Sequence, residues 1–212
     1  MLIRLADLTS LTVLDSEGGK HAVTDVLVDG SLAVTHVLTR LGRWFDRSGC
    51  AIRADAFGAP DLDEGEWPSR VTEGDIKGAG SGPVPLLCDP DSAPDPADVA
   101  AAEGSGPLHS LKTIDEVEVR GADGVKAGTV MDFILDTEAR KLAMLILHAG
   151  PSGIEHQRVV PAGMVDTIDW EGGFVTLGCP ANSVDEGPDL HELDVRVESH
   201  WYNRVLAYYG IG

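Results

Sequence analysis

Short apolar–polar alternations broken by Gly, Pro and Asp run through most of the chain, with the period of half-buried β-strands. Leu8 to Asp15 reads as a first strand region, and Ser16-Glu-Gly-Gly-Lys20 as a turn. Ala22 to Asp29 reads as a strand, with Val23, Asp25, Leu27 and Asp29 on one face and Thr24, Val26 and Val28 on the other. Asp29-Gly30 between two apolar runs predicts a tight hairpin, because a primed turn needs positive φ. Leu32 to Leu38 is the return strand. Trp44 and Phe45 follow, then a short strand around Cys50 to Arg53. Phe57 to Leu62 leads into the acidic turn Asp63-Glu-Gly-Glu66, and Trp67 opens a last strand.

The pattern then repeats. Ala22-Val-Thr-Asp-Val-Leu-Val-Asp29 returns within Ala127-Gly-Thr-Val-Met-Asp-Phe-Ile-Leu-Asp136. Asp25 corresponds to Asp132 and Asp29 to Asp136, and the apolar positions between them match in kind. The chain therefore reads as two copies of one small β-rich unit. Residues 1–77 form the first domain and 108–186 the second. Residues 78–107 between them, rich in Gly, Pro and Asp, offer little to bury and read as a linker with a short helix over Asp98 to Glu103.

In the second copy Leu108 to Ile114 leads in. Val117 to Arg120 is a strand, and Ala127–Asp136 with Lys141–His148 makes a long hairpin. Arg158 to Pro161, Met164 to Asp169 and Phe174 to Leu177 complete the sheet. Apolar groups on both faces of the hairpin imply that both are covered. The tail, 187–212, changes period. Leu193, Val197, Trp201, Val205 and Tyr208 recur at helical spacing, with Leu206 and Tyr209 alongside and Gly210 as a C′ stop. This amphipathic helix is expected to cover a barrel end or form part of a dimer seam. Trp201, Tyr202, Val205, Tyr208 and Tyr209 are its candidate interaction residues.

Composition narrows the function classes. A net charge of −19 repels phosphate backbones and anionic lipid heads, which argues against nucleic acid and bare membrane as partners. The six-residue aliphatic run Leu142–Leu147 is too short to span a bilayer, and Met1 to Asp7 has no signal-peptide core. The three cysteines, Cys50, Cys88 and Cys179, contain no C-x-x-C and read as reduced thiols of a cytoplasmic protein.

Candidate chemistry is sparse. Residues four apart on a strand stand roughly 13 Å apart, too far for Asp132 and Asp136, or Asp25 and Asp29, to share one ion or act as a carboxylate pair. Asp29 and Asp136 read as turn residues, and Asp25 and Asp132 as partners of a backbone or basic group. Asp61 to Glu66 lacks the ligand set of a calcium loop. Gly78-Ala-Gly-Ser-Gly82 has no following Lys-Ser/Thr for a phosphate loop. The histidines form no H-E-x-x-H, His36 reads as a core histidine, and no G-x-S-x-G elbow occurs. No catalytic, cofactor or metal site is assigned.

The strand, the Gly-containing turn, Ala-Gly-Thr-Val-Met-Asp-Phe-Ile-Leu-Asp, the hairpin, Val-Val-Pro and Ile-Asp-Trp resemble the PRC-barrel family. This small β-barrel is named for the cytoplasmic part of the photosynthetic reaction-centre H subunit, and is similar to the C-terminal domain of the bacterial ribosome maturation factors. Residues 108–186 carry the clearer likeness. The first copy has His21 where Gly128 stands, and Arg53 where Pro161 stands. Trp201 to Gly210 resembles the Tyr-Tyr-Gly segment of soluble bacterial proteins with two such barrels.

The resemblance implies a mainly β fold: two tandem small PRC-type β-barrels with a C-terminal amphipathic helix. It also implies an adaptor or assembly role; with the duplicated unit, the aromatic tail helix and the absence of a catalytic constellation, the chain is expected to be a non-enzymatic module that binds a protein partner and forms a homo-oligomer. The alternatives are a small-molecule or metal-binding sensor with a site between the barrels, and an accessory factor of reaction-centre assembly.

Overall fold

A computed structural model of the chain describes residues 1–40, 48–77, 86–89, 92–149, 156–190 and 199–211. The expected Trp44–Phe45 segment, Gly78–Gly82 and the helical positions Leu193 and Val197 lie outside these residues. The chain folds as two compact units. Unit 1 comprises Met1, Ala6–Lys112 and Thr137–Lys141, and unit 2 comprises Leu2–Leu5, Thr113–Asp136 and Leu142–Gly212.

In chain order the elements begin with β1 (Leu2–Arg4), α1 (Leu5–Ser10), β2 (Thr12–Leu14), β3 (Lys20–Asp29), β4 (Val34–Arg40), β5 (Gly49–Arg53) and β6 (Glu66–Pro68). Next come α2 (Glu73–Lys77), β7 (Leu86–Asp89), α3 (Pro96–Glu103), β8 (Leu108–Ser110), β9 (Glu118–Arg120), β10 (Lys126–Asp136) and β11 (Lys141–Ala149). The chain ends with β12 (His156–Pro161), β13 (Val165–Asp169), β14 (Phe174–Leu177), α4 (Ala181–Asp185) and α5 (Ser199–Tyr208). Among the described residues no helix is long and apolar enough to cross a membrane.

The fold is mainly β. Unit 1 holds a sheet of order β6-β2-β3-β4-β5-β7, with β8 added to β3. Unit 2 holds one of order β12-β11-β10-β9-β14-β13, with β1 added to β10. In each, one parallel pair interrupts the antiparallel ladder: β2 with β6, Val13 beside Trp67, and β9 with β14, Val119 beside Val175. Both sheets have two ends, so the pairings among the described residues do not close the expected barrels.

Two local expectations change. Leu8 to Asp15 is not one strand, because Leu5, Leu8 and Leu11 recur at helical spacing and all three are buried along α1 and its exit. The primed turn at Asp29-Gly30 does not form. Positive φ falls instead on Leu32 (64°) and, in the other hairpin, on Arg140 (51°). The Asp29 carboxylate organises the first loop, accepting from Ser31 N–H at 2.8 Å, Ser31 Oγ at 2.7 Å and Ala33 N–H at 3.1 Å.

Within 78–107 two ordered elements belong to unit 1. Asp95 caps α3 by accepting from Ala97 N–H, with Pro96 at the first helical position and Gly104 closing the helix in the left-handed conformation. Val99 and Ala100 then bury against Leu27, Leu38, Ala51 and Leu108. β7 pairs with β5, which places Cys88 directly opposite Cys50. The two form a disulfide, so the reduced-thiol expectation fails for this pair, while Cys179 is free and buried.

Candidate functional site

Two equivalent positions stand out, one in each unit, where a carboxylate meets a three-residue strand. In unit 2, β1 lies antiparallel on β10 with Leu2 opposite Asp136, Ile3 opposite Leu135 and Arg4 opposite Ile134. In unit 1, β8 lies antiparallel on β3 with Leu108 opposite Asp29, His109 opposite Val28 and Ser110 opposite Leu27. The acceptor residues are the same positions of the repeated sequence. The donors are exchanged. β1 begins the chain yet joins the second repeat, and β8 leads the second repeat yet joins the first.

The repeated aspartates hold these strands. Asp132 is buried and its Oδ2 accepts from Arg4 Nε at 3.0 Å, while Oδ1 accepts from Phe133 N–H at 2.8 Å. Asp25 is buried and its Oδ2 accepts from Ser110 Oγ, while Oδ1 accepts from Val26 N–H at 2.7 Å. Each carboxylate thus ties its own strand to the incoming one. A buried carboxylate requires such partners, because an unpaired charge in the interior costs several kcal/mol. The sequence reading assigned Asp25 and Asp132 a backbone or basic partner, and both kinds are present. It did not identify Arg4 or Ser110, since neither is near its partner in the chain.

The tail helix α5 packs on its own unit. Trp201 and Val205 are 4% and 0% exposed, in a cluster with Ile134, Ala143, Met144, Ile146, Val159 and Leu190. Tyr202 and Tyr209 are half-buried against the same cluster, and burial pushes both phenols above their ordinary range. Tyr208 is the exposed member at 46%, with its hydroxyl donating to Ser183 O at 3.0 Å and its ring edge-on to Tyr209. Of the five sequence-selected residues, the structure brings Trp201, Tyr202, Val205 and Tyr209 together over one core and leaves Tyr208 facing outward.

A groove of about 580 Å³ opens on unit 2, lined by Val125, Lys126, Gly128, Thr129, His148 and Asp185 among others. Gly128 shapes it, since a Cβ there would meet the His148 carbonyl. Unit 1 carries charged clusters of its own. Asp15 accepts from Glu17 and Gly19 N–H and lies 3.2 Å from His21 Nε2. Its burial raises the carboxyl, but these bonds outweigh that effect and hold it below the usual range. His36, 2% exposed, lies 3.2 Å from Glu103 on α3, and the Arg53 guanidinium meets the same carboxylate at 3.2 Å. Burial depresses the His36 imidazole and Arg53 adds to the effect, against the pull of Glu103 and Asp55. Among the described residues no group of three or more His, Cys, Asp or Glu side chains is placed to hold a metal ion.

With this geometry in place, the comparisons with known proteins bear on one segment of the chain. Residues 108–177 match the PRC-barrel domain family, so a PRC-barrel domain occupies this segment. No curated protein matches the chain. Among solved structures the chain is similar to one described as a putative 16S ribosomal RNA processing protein RimM from Pseudomonas aeruginosa, at 10% identity, covering 76% of this chain and 99% of that one. The TM-score is 0.27, and the likeness carries no functional argument.

Proposed function

We propose that the chain is a non-enzymatic protein-interaction or assembly module made of two PRC-type units, the first a divergent copy of the second. The observation that carries this reading is the matched use of Asp25 and Asp132. The repeated residues with the best claim to chemistry hold captured strands at the same position of both sheets. Strand capture is a protein-recognition chemistry: ladder bonds supply affinity and side-chain contacts set register. The partner is a protein, the chain self-associates, and the net charge of −19 disfavours nucleic acid and anionic membrane. The Cys50–Cys88 disulfide weighs against a reducing compartment as the working environment.

The outward face of α5, centred on Tyr208, is the proposed contact for a partner. Exposed tyrosines beside a rigid core make efficient interface anchors. Capture from native host lysate with the wild-type chain and with a Tyr208→Glu variant tests this. A specific protein retained by the wild type and lost with the variant, at unchanged melting temperature, is expected. An identical set retained by both chains would overturn the assignment. A second reading, a small-molecule sensor, is favoured by the groove around Gly128. Ligand-specific thermal shifts abolished by Val125→Glu, at an unchanged melting temperature without ligand, would support it.

A further inference from the structure

The exchanged strands point to a self-association site. We propose that the β10 edge at Ile134–Asp136, with Asp132 behind it, accepts β1 from a second copy of this chain, so that copies join by strand exchange. This rests on the self-association part of the proposed function and names its site.

Three observations carry it. First, one acceptor shape already takes two different donors. Leu2-Ile3-Arg4 and Leu108-His109-Ser110 seat at equivalent positions, each with Leu first and a hydrogen-bond donor third, reaching a buried aspartate. The acceptor therefore selects a local pattern, and β1 of another copy presents that pattern complete. Second, neither donor has a loop behind it. β1 ends at Arg4 and α1 begins at Leu5, while β8 ends at Ser110 and a 3-10 turn begins at Leu111. Short connections of this kind favour swapping. Third, β1 is only three residues long: three register pairs, the Arg4–Asp132 ion pair, the buried Ile3, Leu2 on the core and the flanking Met1 bonds to Thr137 are a local set of contacts, open to local unfolding.

In one chain the tethered strand has an effective concentration on the order of millimolar, so the internal arrangement dominates in dilute solution. Concentrated protein, warmed to open β1 and then cooled, exchanges strands between copies.

The test uses full-length chains in a Cys179→Ala background, with Cys50 and Cys88 left in their disulfide. One variant carries Leu2→Cys and the other Asp136→Cys, at register partners. These two thiols are held together when β1 of one chain lies on β10 of another. After mixing at about 1 mM, warming, cooling and oxidation, the covalent heterodimer is expected at roughly tenfold the yield of a control pairing Leu2→Cys with Lys126→Cys. Because a reciprocal exchange keeps the β1–β10 contacts of the closed chain, concentration is the discriminating variable, and warming at about 10 μM instead of about 1 mM is expected to lower the yield by roughly tenfold or more. A heterodimer yield equal to the control, or one indifferent to concentration, overturns the proposal. Failure here leaves the Tyr208 surface untouched, whereas failure of the capture experiment leaves this site untouched.

Discussion

At the scale of single residues, the aspartates and histidines divide by what surrounds them. Asp25 and Asp132 were legible as a repeat, and the strand spacing already excluded a shared ion. Their partners were not legible, because Ser110 lies 85 positions from Asp25 and Arg4 lies 128 from Asp132. Long-range pairing of this kind leaves no periodic trace. His36 was legible as a core histidine, and the structure adds the consequence. Its folded imidazole titrates below the unfolded value near 6.5, because burial and Arg53 outweigh Glu103 and Asp55. Protons therefore prefer the unfolded chain, and the stability present above that value falls as pH drops from about 6.5 toward the folded value. His109, also depressed by burial, acts in the same window. Asp15 and Asp29 are held low as well, but their contributions are lost only at more acidic pH, below the ordinary carboxyl value. Denaturant titrations between pH 7.5 and 5.5 should show stability falling by at most about 1.4 kcal/mol per pH unit for each titrating group. His36→Gln should flatten that slope, and an unchanged slope would remove His36 from the account.

At the scale of elements, the alternating strands and both long hairpins follow the sequence pattern closely. Strong period-two segments such as Ala127–Asp136 carry their own signal. The misses have a common cause. Leu5, Leu8 and Leu11 fit both a ragged strand and a short helical face, and tertiary burial decided for the helix. The expected helix over Asp98 to Glu103 forms as α3, beginning two residues earlier, whereas β7 is missed because a four-residue strand in a Gly-, Pro- and Asp-rich stretch leaves little pattern. The Asp95-Pro96 pair was the available signal for the start of α3. The disulfide was hidden for a related reason, since Cys50 and Cys88 become neighbours only once β7 is recognised as a strand. Closing a loop of 38 residues, it should stabilise the chain by about 4 kcal/mol on the chain-entropy view. Removing both thiols with Cys50→Ala and Cys88→Ala should lower stability by that order in denaturant titrations without added reductant. A loss well under about 1 kcal/mol would mean that β7 is held by other contacts.

At the scale of the whole molecule, the repeat predicts two similar units, and the structure contains two sheets that share a five-strand order, β5-β4-β3-β2-β6 and β12-β11-β10-β9-β14, with one parallel pair each, while β7 and β13 extend different ends. What the repeat could not convey is that each repeat's sheet takes its added strand from outside that repeat, β1 on β10 and β8 on β3. A repeat reports which residues are equivalent, whereas exchange is decided by the connections, here Arg4 running directly into α1 and Ser110 into a 3-10 turn. The crossing makes each sheet dependent on a segment from the other half of the sequence. It also gives the aspartate repeat a reason to exist. Hydrogen exchange on an Ile3→Asp chain tests this most directly, because an unpaired carboxylate replacing a fully buried side chain costs several kcal/mol where it lands. The account predicts that amides of Ile134–Asp136 lose protection, although they lie about 130 positions away, while β2 and β3 keep theirs. Loss confined to β2 and β3, with β10 unchanged, would contradict it.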